Sequence, residues 1–231
     1  MSRTAVITGG SGGIGLACGE ALVARGYDVV LTSRRPEPLE AAAATIGARW
    51  VAADAADETS FAAVVDAVER IDLVVHAAGI LAGTFVRKET PASFDEVIRA
   101  NLRSTYVVSH AVLPKMGVGG RIVFISSSSS VQPMRGRTAY SASKAGMNAF
   151  AHALAGEVER DGINVHVVIP APVETPMLED VTFPMHTLQS KDVVDAVVFL
   201  DGLSPSVVLP EIFLRAHDDG PLAPAPTVPK G

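Results

Sequence analysis

Tyr140 and Lys144 stand four residues apart in Tyr140-Ser141-Ala142-Ser143-Lys144. On a helix, positions i and i+4 share a face, so this spacing sets a phenol beside an ammonium. A phenol ionises near pH 10, too high for acid–base work at neutral pH. A neighbouring cation stabilises the phenolate and lowers that value. Ser127 precedes Tyr140 by thirteen residues and follows the apolar run Ile122–Ile125. Such a run reads as a strand, and open α/β sheets bind ligands outside the carboxyl ends of their strands. Ser127 is therefore placed to hold a reacting oxygen, with Ser128 as the alternative if the serine run Ser126–Ser130 is shifted by one.

A second group opens the chain: Thr8-Gly9-Gly10-Ser11-Gly12-Gly13-Ile14-Gly15, between an apolar run and a helical pattern. Glycines here allow a tight turn and close approach of backbone to a pyrophosphate, with the following helix N-terminus facing the anion. The alternative, a flexible glycine-rich turn, explains the composition but not its place between strand and helix.

Both groups need a scaffold, and the pattern of apolar residues supplies one. Strands are expected at Thr4–Thr8, Asp28–Ser33, Arg49–Ala52, Leu73–His76, Arg121–Ile125, Asn164–Ile169 and near Glu211–Leu214. Helical patterns fall between them, at Ile14–Arg25 (with Gly26 as C-cap), Leu39–Ile46, Ser60–Arg70, about Ala92–Met116, about Thr138–Asp161 and near Asp192–Gly202. Such alternation predicts a Rossmann-type, doubly wound parallel α/β sheet of about seven strands with helices on both faces. The 231 residues read as one domain over 1–220, with a Pro/Ala-rich tail at 221–231.

Composition narrows the function classes. A net charge of −6 argues against a nucleic-acid surface, and one cysteine, Cys18, rules out an internal disulfide and a cysteine-built metal site; no metal is expected. Mean hydropathy is +0.31, yet no apolar stretch nears the roughly 18 residues of a membrane span. With no signal-peptide pattern at the start, a cytoplasmic protein is expected.

The glycine loop with its preceding Thr, Ser127, Tyr140 and Lys144 together resemble the short-chain dehydrogenase/reductase family across nearly the whole chain. The resemblance implies a hydride transfer between a nicotinamide and a carbonyl or secondary alcohol, with Tyr140 as acid/base. Lys144 would bind the nicotinamide ribose and depress the Tyr140 pKa, and Ser127 would hydrogen-bond the reacting oxygen. Asn101, in Arg99-Ala100-Asn101-Leu102, looks like the family's mid-helix Asn that holds a water in the proton relay to Lys144. Asp54 resembles the adenine-edge contact, although a turn cap explains it as well. Ala78 and Gly79 keep the small residues of the family's Asn-Asn-Ala-Gly, but His76 and Ala77 replace its asparagines, and His76 reads as a structural histidine. After the sixth strand, Pro170-Ala171 replaces Pro-Gly. Val173 and Thr175 follow, Thr175 matching a contact to the nicotinamide carboxamide.

The second strand ends in Ser33-Arg34-Arg35 where an NAD-binding unit carries an acid for the ribose 2′-hydroxyl. Ser and Arg can hydrogen-bond and neutralise a 2′-phosphate. NADP(H) is the expected cofactor, held by Thr8, Gly9, Ser11, Gly13, Ile14, Gly15, Ser33, Arg34, Asp54, Ala78, Gly79, Tyr140, Lys144, Pro170, Val173 and Thr175. The short segment Met177–Gln189 contains no Lys or Arg and suggests an apolar lid, leaving Arg135 and Arg137 as basic residues near a substrate. Small residues along the Tyr140 helix suit close helix pairing, and by resemblance a homodimer or homotetramer is expected. The competing reading is a catalytically idle NADP-binding sensor or scaffold of the same fold.

Overall fold

The structure is a computed structural model, and it describes residues 2–178 and 186–217. The expected tail at 221–231 and the middle of the expected lid lie outside the described residues.

Seven parallel strands form one sheet: β1 (Thr4–Thr8), β2 (Asp28–Ser33), β3 (Arg49–Ala52), β4 (Leu73–His76), β5 (Arg121–Ile125), β6 (Asn164–Pro170) and β7 (Glu211–Leu214). Their order is β3-β2-β1-β4-β5-β6-β7. The chain reverses direction across the sheet between β1 and β4, which opens the crevice where this architecture binds ligands. Register brings Thr8 opposite both Thr32 and His76, and His76 opposite Phe124, so the polar strand ends share one edge.

Alternate strand residues face opposite layers. Val6, Val74, Ile122 and Phe124 pack with Phe61, Val107, Val112 and Met147 on one side. Ala5, Ile7, Leu73, Val75 and Val123 pack with Leu22, Leu39, Val193 and Leu200 on the other. Burial on both faces explains why these strands read as continuous apolar runs. The helices are α1 (Gly13–Val23), α2 (Pro36–Ile46), α3 (Glu58–Asp66), α4 (Pro91–Ile98), α5 (Ser104–Val112), α6 (Thr138–Val158) and α7 (Ser190–Asp201). No helix among the described residues is long and apolar enough to cross a membrane.

Several helix bounds differ from expectation. α1 ends at Val23 with Ala24 as its cap, and Gly26, at φ +81°, instead forms the turn into β2. Asp57 caps α3 by accepting from the Ser60 N–H at 2.7 Å, and the helix stops at Asp66 rather than Arg70. α6 gives way to one tight 3₁₀ turn, Glu159–Asp161. The expected single helix at 92–116 is α4, a π-helical turn at Arg99–Arg103, α5, and a 3₁₀ turn at Leu113–Lys115. A π turn inserts an extra residue and commonly marks a functional position. Here it carries Asn101, and the Ser104 and Thr105 hydroxyls bond back to the carbonyls of Ala100 and Asn101 at 2.7 and 2.8 Å.

Candidate active site

Tyr140 and Lys144 lie in the first two turns of α6 and are both buried. Lys144 Nζ donates to the Ile125 carbonyl at 2.8 Å and lies 6.0 Å from the Tyr140 ring centroid. Burial pushes the Lys144 ammonium down to about 8. The Tyr140 and Ser127 side chains line the same cleft. Burial raises the phenol above its usual 10 and the neighbouring Ser127 works against it. In this geometry burial sets the direction of the shift, and the phenol is neutral at neutral pH.

Ser127 caps the 3₁₀ turn Ser128–Ser130, its Oγ accepting from the Ser129 N–H at 3.2 Å. Ser127 and Ser128 both line the cleft beside Tyr140. Two further groups fix this loop: Ser126 Oγ donates to Asn148 Oδ1 at 2.6 Å, and Asn148 Nδ2 donates to Ser130 Oγ at 3.1 Å. Asn148 was missed in the sequence, although it lies one turn beyond Lys144 on the same helical face.

Asn101 is fully buried and reaches across to the loop after β4. Its Oδ1 accepts from the Ile80 N–H at 2.8 Å, while its Nδ2 donates to the Ile80 carbonyl and Ser143 Oγ, each at 3.0 Å. Gly79 sits between these groups: a Cβ there would lie 3.0 Å from Asn101 Oδ1 and 3.7 Å from Lys144 Nζ. Asn101, Gly79, Lys144, Tyr140 and Ser127 are thus brought together.

His76 is buried beneath this floor. The Ala78 N–H donates to Thr8 Oγ1 at 3.0 Å, and Thr8 Oγ1 lies 2.9 Å from His76 Nδ1. On the other side, His76 Nε2 lies 3.2 Å from Ser104 Oγ, whose proton goes to the Ala100 carbonyl. The directions assign themselves: Thr8 donates to Nδ1, and Nε2–H donates to Ser104. This is the neutral imidazole, and burial, aided by the Lys144 charge, pushes its pKa down to about 3.

The glycine loop joins β1 to α1. Gly9, at φ +72°, would place a Cβ 2.9 Å from the Ala77 carbonyl carbon, and Gly15 would place one 2.3 Å from the Gly9 oxygen. Gly12 faces open space, and Gly13 faces Thr175, whose methyl would lie 3.5 Å from a Cβ. A cavity beside the loop is lined by Thr8, Gly9, Ser11, Ser33, Arg34, Arg35, Asp54, Ala78, Gly79, Arg99 and Ala100. Its wall includes Thr32 Oγ1, a buried hydroxyl with no hydrogen-bond partner among the described residues. Open backbone, an orphaned hydroxyl and three guanidinium groups fit a phosphorylated dinucleotide.

Arg34 Nη1 is 3.5 Å from Glu96 Oε1. Arg99, which the sequence alone gives no role, donates to Asp54 Oδ2 at 2.7 Å, and the Ala56 N–H donates to Asp54 Oδ1 at 2.9 Å. Burial alone would raise the Asp54 carboxyl, but these donors hold it below the usual carboxylate range. Asp54 is thus a turn cap that also borders the cavity.

A second cavity continues past Gly79 and Lys144 to Ser127, Tyr140, Pro170, Val173 and Thr175, and outward to Phe85, Met134, Arg135, Met177 and Leu178. Ile14 lines this cavity rather than the one beside the glycine loop. The lid is described only at its ends; between Leu178 and His186 it lies outside the described residues.

The fold and this arrangement are those of a doubly wound α/β protein with a cavity suited to a dinucleotide. Residues 3–184 match the short chain dehydrogenase family, and the chain belongs to it. It is 34% identical over 209 residues to an acetoacetyl-CoA reductase of Cupriavidus necator, covering 85% of this chain and 81% of the relative. It is 30% identical over 222 residues to an uncharacterized oxidoreductase of Staphylococcus epidermidis, covering 92% and 96%. The structure of a short chain dehydrogenase from Burkholderia cenocepacia in complex with NADP superposes with a TM-score of 0.84 at 30% identity, covering 93% and 96%.

Proposed function

We propose that this protein is an NADP(H)-dependent carbonyl reductase, or secondary-alcohol dehydrogenase in reverse, with Tyr140 as the catalytic acid/base. The observation that carries the reading is the grouping of Ser127, Tyr140 and the buried Lys144 in one cleft, which shares Gly79 and Ile80 with the dinucleotide cavity. The nicotinamide, when bound, supplies the hydride for reduction and accepts it in oxidation.

The chain's own residues handle the oxygen and the proton. The Ser127 hydroxyl donates a hydrogen bond to the substrate carbonyl and orients it. The Tyr140 phenol, neutral at working pH, gives its proton to that oxygen as the carbon takes the hydride. The product is the alcohol, and the phenolate left behind is stabilised by the Lys144 ammonium. Lys144 then returns a proton to Tyr140 and is itself reprotonated from solvent along the Asn101 turn. The net reaction is ketone plus NADPH plus a proton giving alcohol plus NADP⁺. A raised Tyr140 pKa favours the protonated form that reduction needs.

Preference for NADP(H) rests on Ser33, Arg34 and Arg35 at the end of β2, with no acid in that place. A guanidinium–phosphate hydrogen bond contributes about 1.5–3 kcal/mol, or roughly 10- to 100-fold in affinity. The test is NADPH and NADH consumption with ketones, aldehydes, 3-oxoacyl thioesters and quinones. Turnover with at least one carbonyl and tighter use of NADPH are expected, with Arg34→Asp reversing the preference. NADPH binding without turnover of any carbonyl would instead favour the idle sensor.

A further inference from the structure

The outer end of the substrate cleft is built by two loops that the reductase chemistry does not use. Gly136, at φ +71°, would place a Cβ 3.3 Å from the Phe85 ring, so the ring rests directly on the glycine. Phe85 is itself held in a turn, its carbonyl accepting from the Lys88 and Glu89 N–H groups at 2.7 and 3.0 Å. Arg137 ties the two loops together by donating to the Gly83 carbonyl, and its charge faces Glu89. Arg135 is thereby set over the Phe85 ring, with Cζ 5.9 Å from the centroid. Stacking on an aromatic face orders a guanidinium and leaves its N–H groups free to bind.

Arg135 makes no ion pair with a carboxylate among the described residues. The described cleft lining holds Lys144, Arg135 and Arg137 and contains no Asp or Glu, in a chain whose net charge is −6. Around the reactive hydroxyls of Ser127 and Tyr140 and the outer guanidinium, the lining includes Leu81, Met134, Met177 and Leu178. A substrate suited to this lining is apolar beside its carbonyl and anionic at its far end.

We infer that Arg135, seated on Phe85, is an anion-binding subsite, and that the preferred substrate is a ketone whose apolar body ends in a carboxylate or phosphate. The inference rests on the reductase reading for the identity of the other end of that molecule. A planar guanidinium pairs with either group through two parallel hydrogen bonds.

The experiment uses the full chain loaded with NADPH and matched substrate pairs. Keto acids of increasing separation between carbonyl and carboxylate are compared with their methyl esters. A 3-oxobutyryl phosphopantetheine thioester is compared with the neutral N-acetylcysteamine thioester, which separates phosphate from carboxylate. In at least one pair the charged member should show a KM lower by roughly tenfold, with the advantage shrinking as salt rises. Arg135→Gln should bring the charged-to-neutral KM ratio toward one while kcat changes little. The same pairs are tested for binding by thermal shift on NADP⁺-loaded Tyr140→Phe protein, which needs no turnover. Equal KM values within every pair, or an Arg135→Gln loss that leaves the ratio unchanged, would overturn the subsite. Selective binding of the charged member without any turnover would overturn the reductase reading and keep the subsite. Neither binding nor turnover of any pair would overturn both.

Discussion

His76 offers a quantitative test of how the buried polar floor of the site is assembled. Its imidazole accepts from Thr8 and donates to Ser104, an arrangement that only the neutral ring satisfies, and its pKa falls to about 3. In the unfolded chain the same ring titrates near its usual 6.5. Below that value the unfolded state binds a proton that the folded state refuses, so stability is complete above about 6.5 and is lost as pH falls toward 3. At about pH 5 the difference amounts to about 2 kcal/mol relative to about pH 8. For a chain of this size that corresponds to a fall in Tm of roughly 4–8 °C from this one group. His76→Gln keeps an acceptor and a donor but cannot be protonated, so it removes the effect without emptying the space. Thermal unfolding of both proteins at the two pH values and one protein concentration isolates the group, since every other titrating residue is common to both. The variant should lose about 2 kcal/mol less than the parent on acidification. Identical pH dependence in the two would refute the assignment of a neutral, wired His76.

Other consequences follow from the same geometry. Gly15→Ala forces a Cβ to 2.3 Å from the Gly9 oxygen, where neither backbone can yield, so it should lower Tm and abolish NADPH binding. Gly12→Ala meets open space and should keep Tm while weakening NADPH, as differential scanning fluorimetry and fluorescence titration would show together. Lys144 is held to about 8, so its ammonium is present below that pH and lost above it. The pH profile of kcat/KM should therefore fall on the alkaline side of about 8, well before an ordinary lysine near 10.4 titrates; a profile flat to pH 10 would contradict the role given to Lys144.

The strands and the glycine loop were legible because their signals are local: apolar runs buried on both faces, and glycines at fixed offsets between a strand and a helix. The Tyr140–Lys144 pair was legible for the same reason, since helical spacing alone puts the two on one face. The π turn was not, because nothing within residues 99–103 announces it. Asn101 is drawn to the Ile80 backbone by a partner twenty-one residues away. Arg99 and Asn148 escaped notice because each acquires meaning only from a distant partner, Asp54 or the serine loop. The direction of the Tyr140 shift is not legible in a helical wheel, which shows the neighbouring Lys144 but not the burial of the phenol.

Tyr140→Phe tests most directly whether Tyr140 moves the proton. Tyr140→Phe removes one hydroxyl from a buried ring and leaves the dinucleotide cavity unchanged, so NADPH affinity and Tm should stay close to those of the parent. With a carbonyl that the parent reduces, turnover should fall by a factor on the order of 100 to 10,000, the usual contribution of a positioned general acid. Parent-like NADPH consumption by the Tyr140→Phe protein would contradict the account.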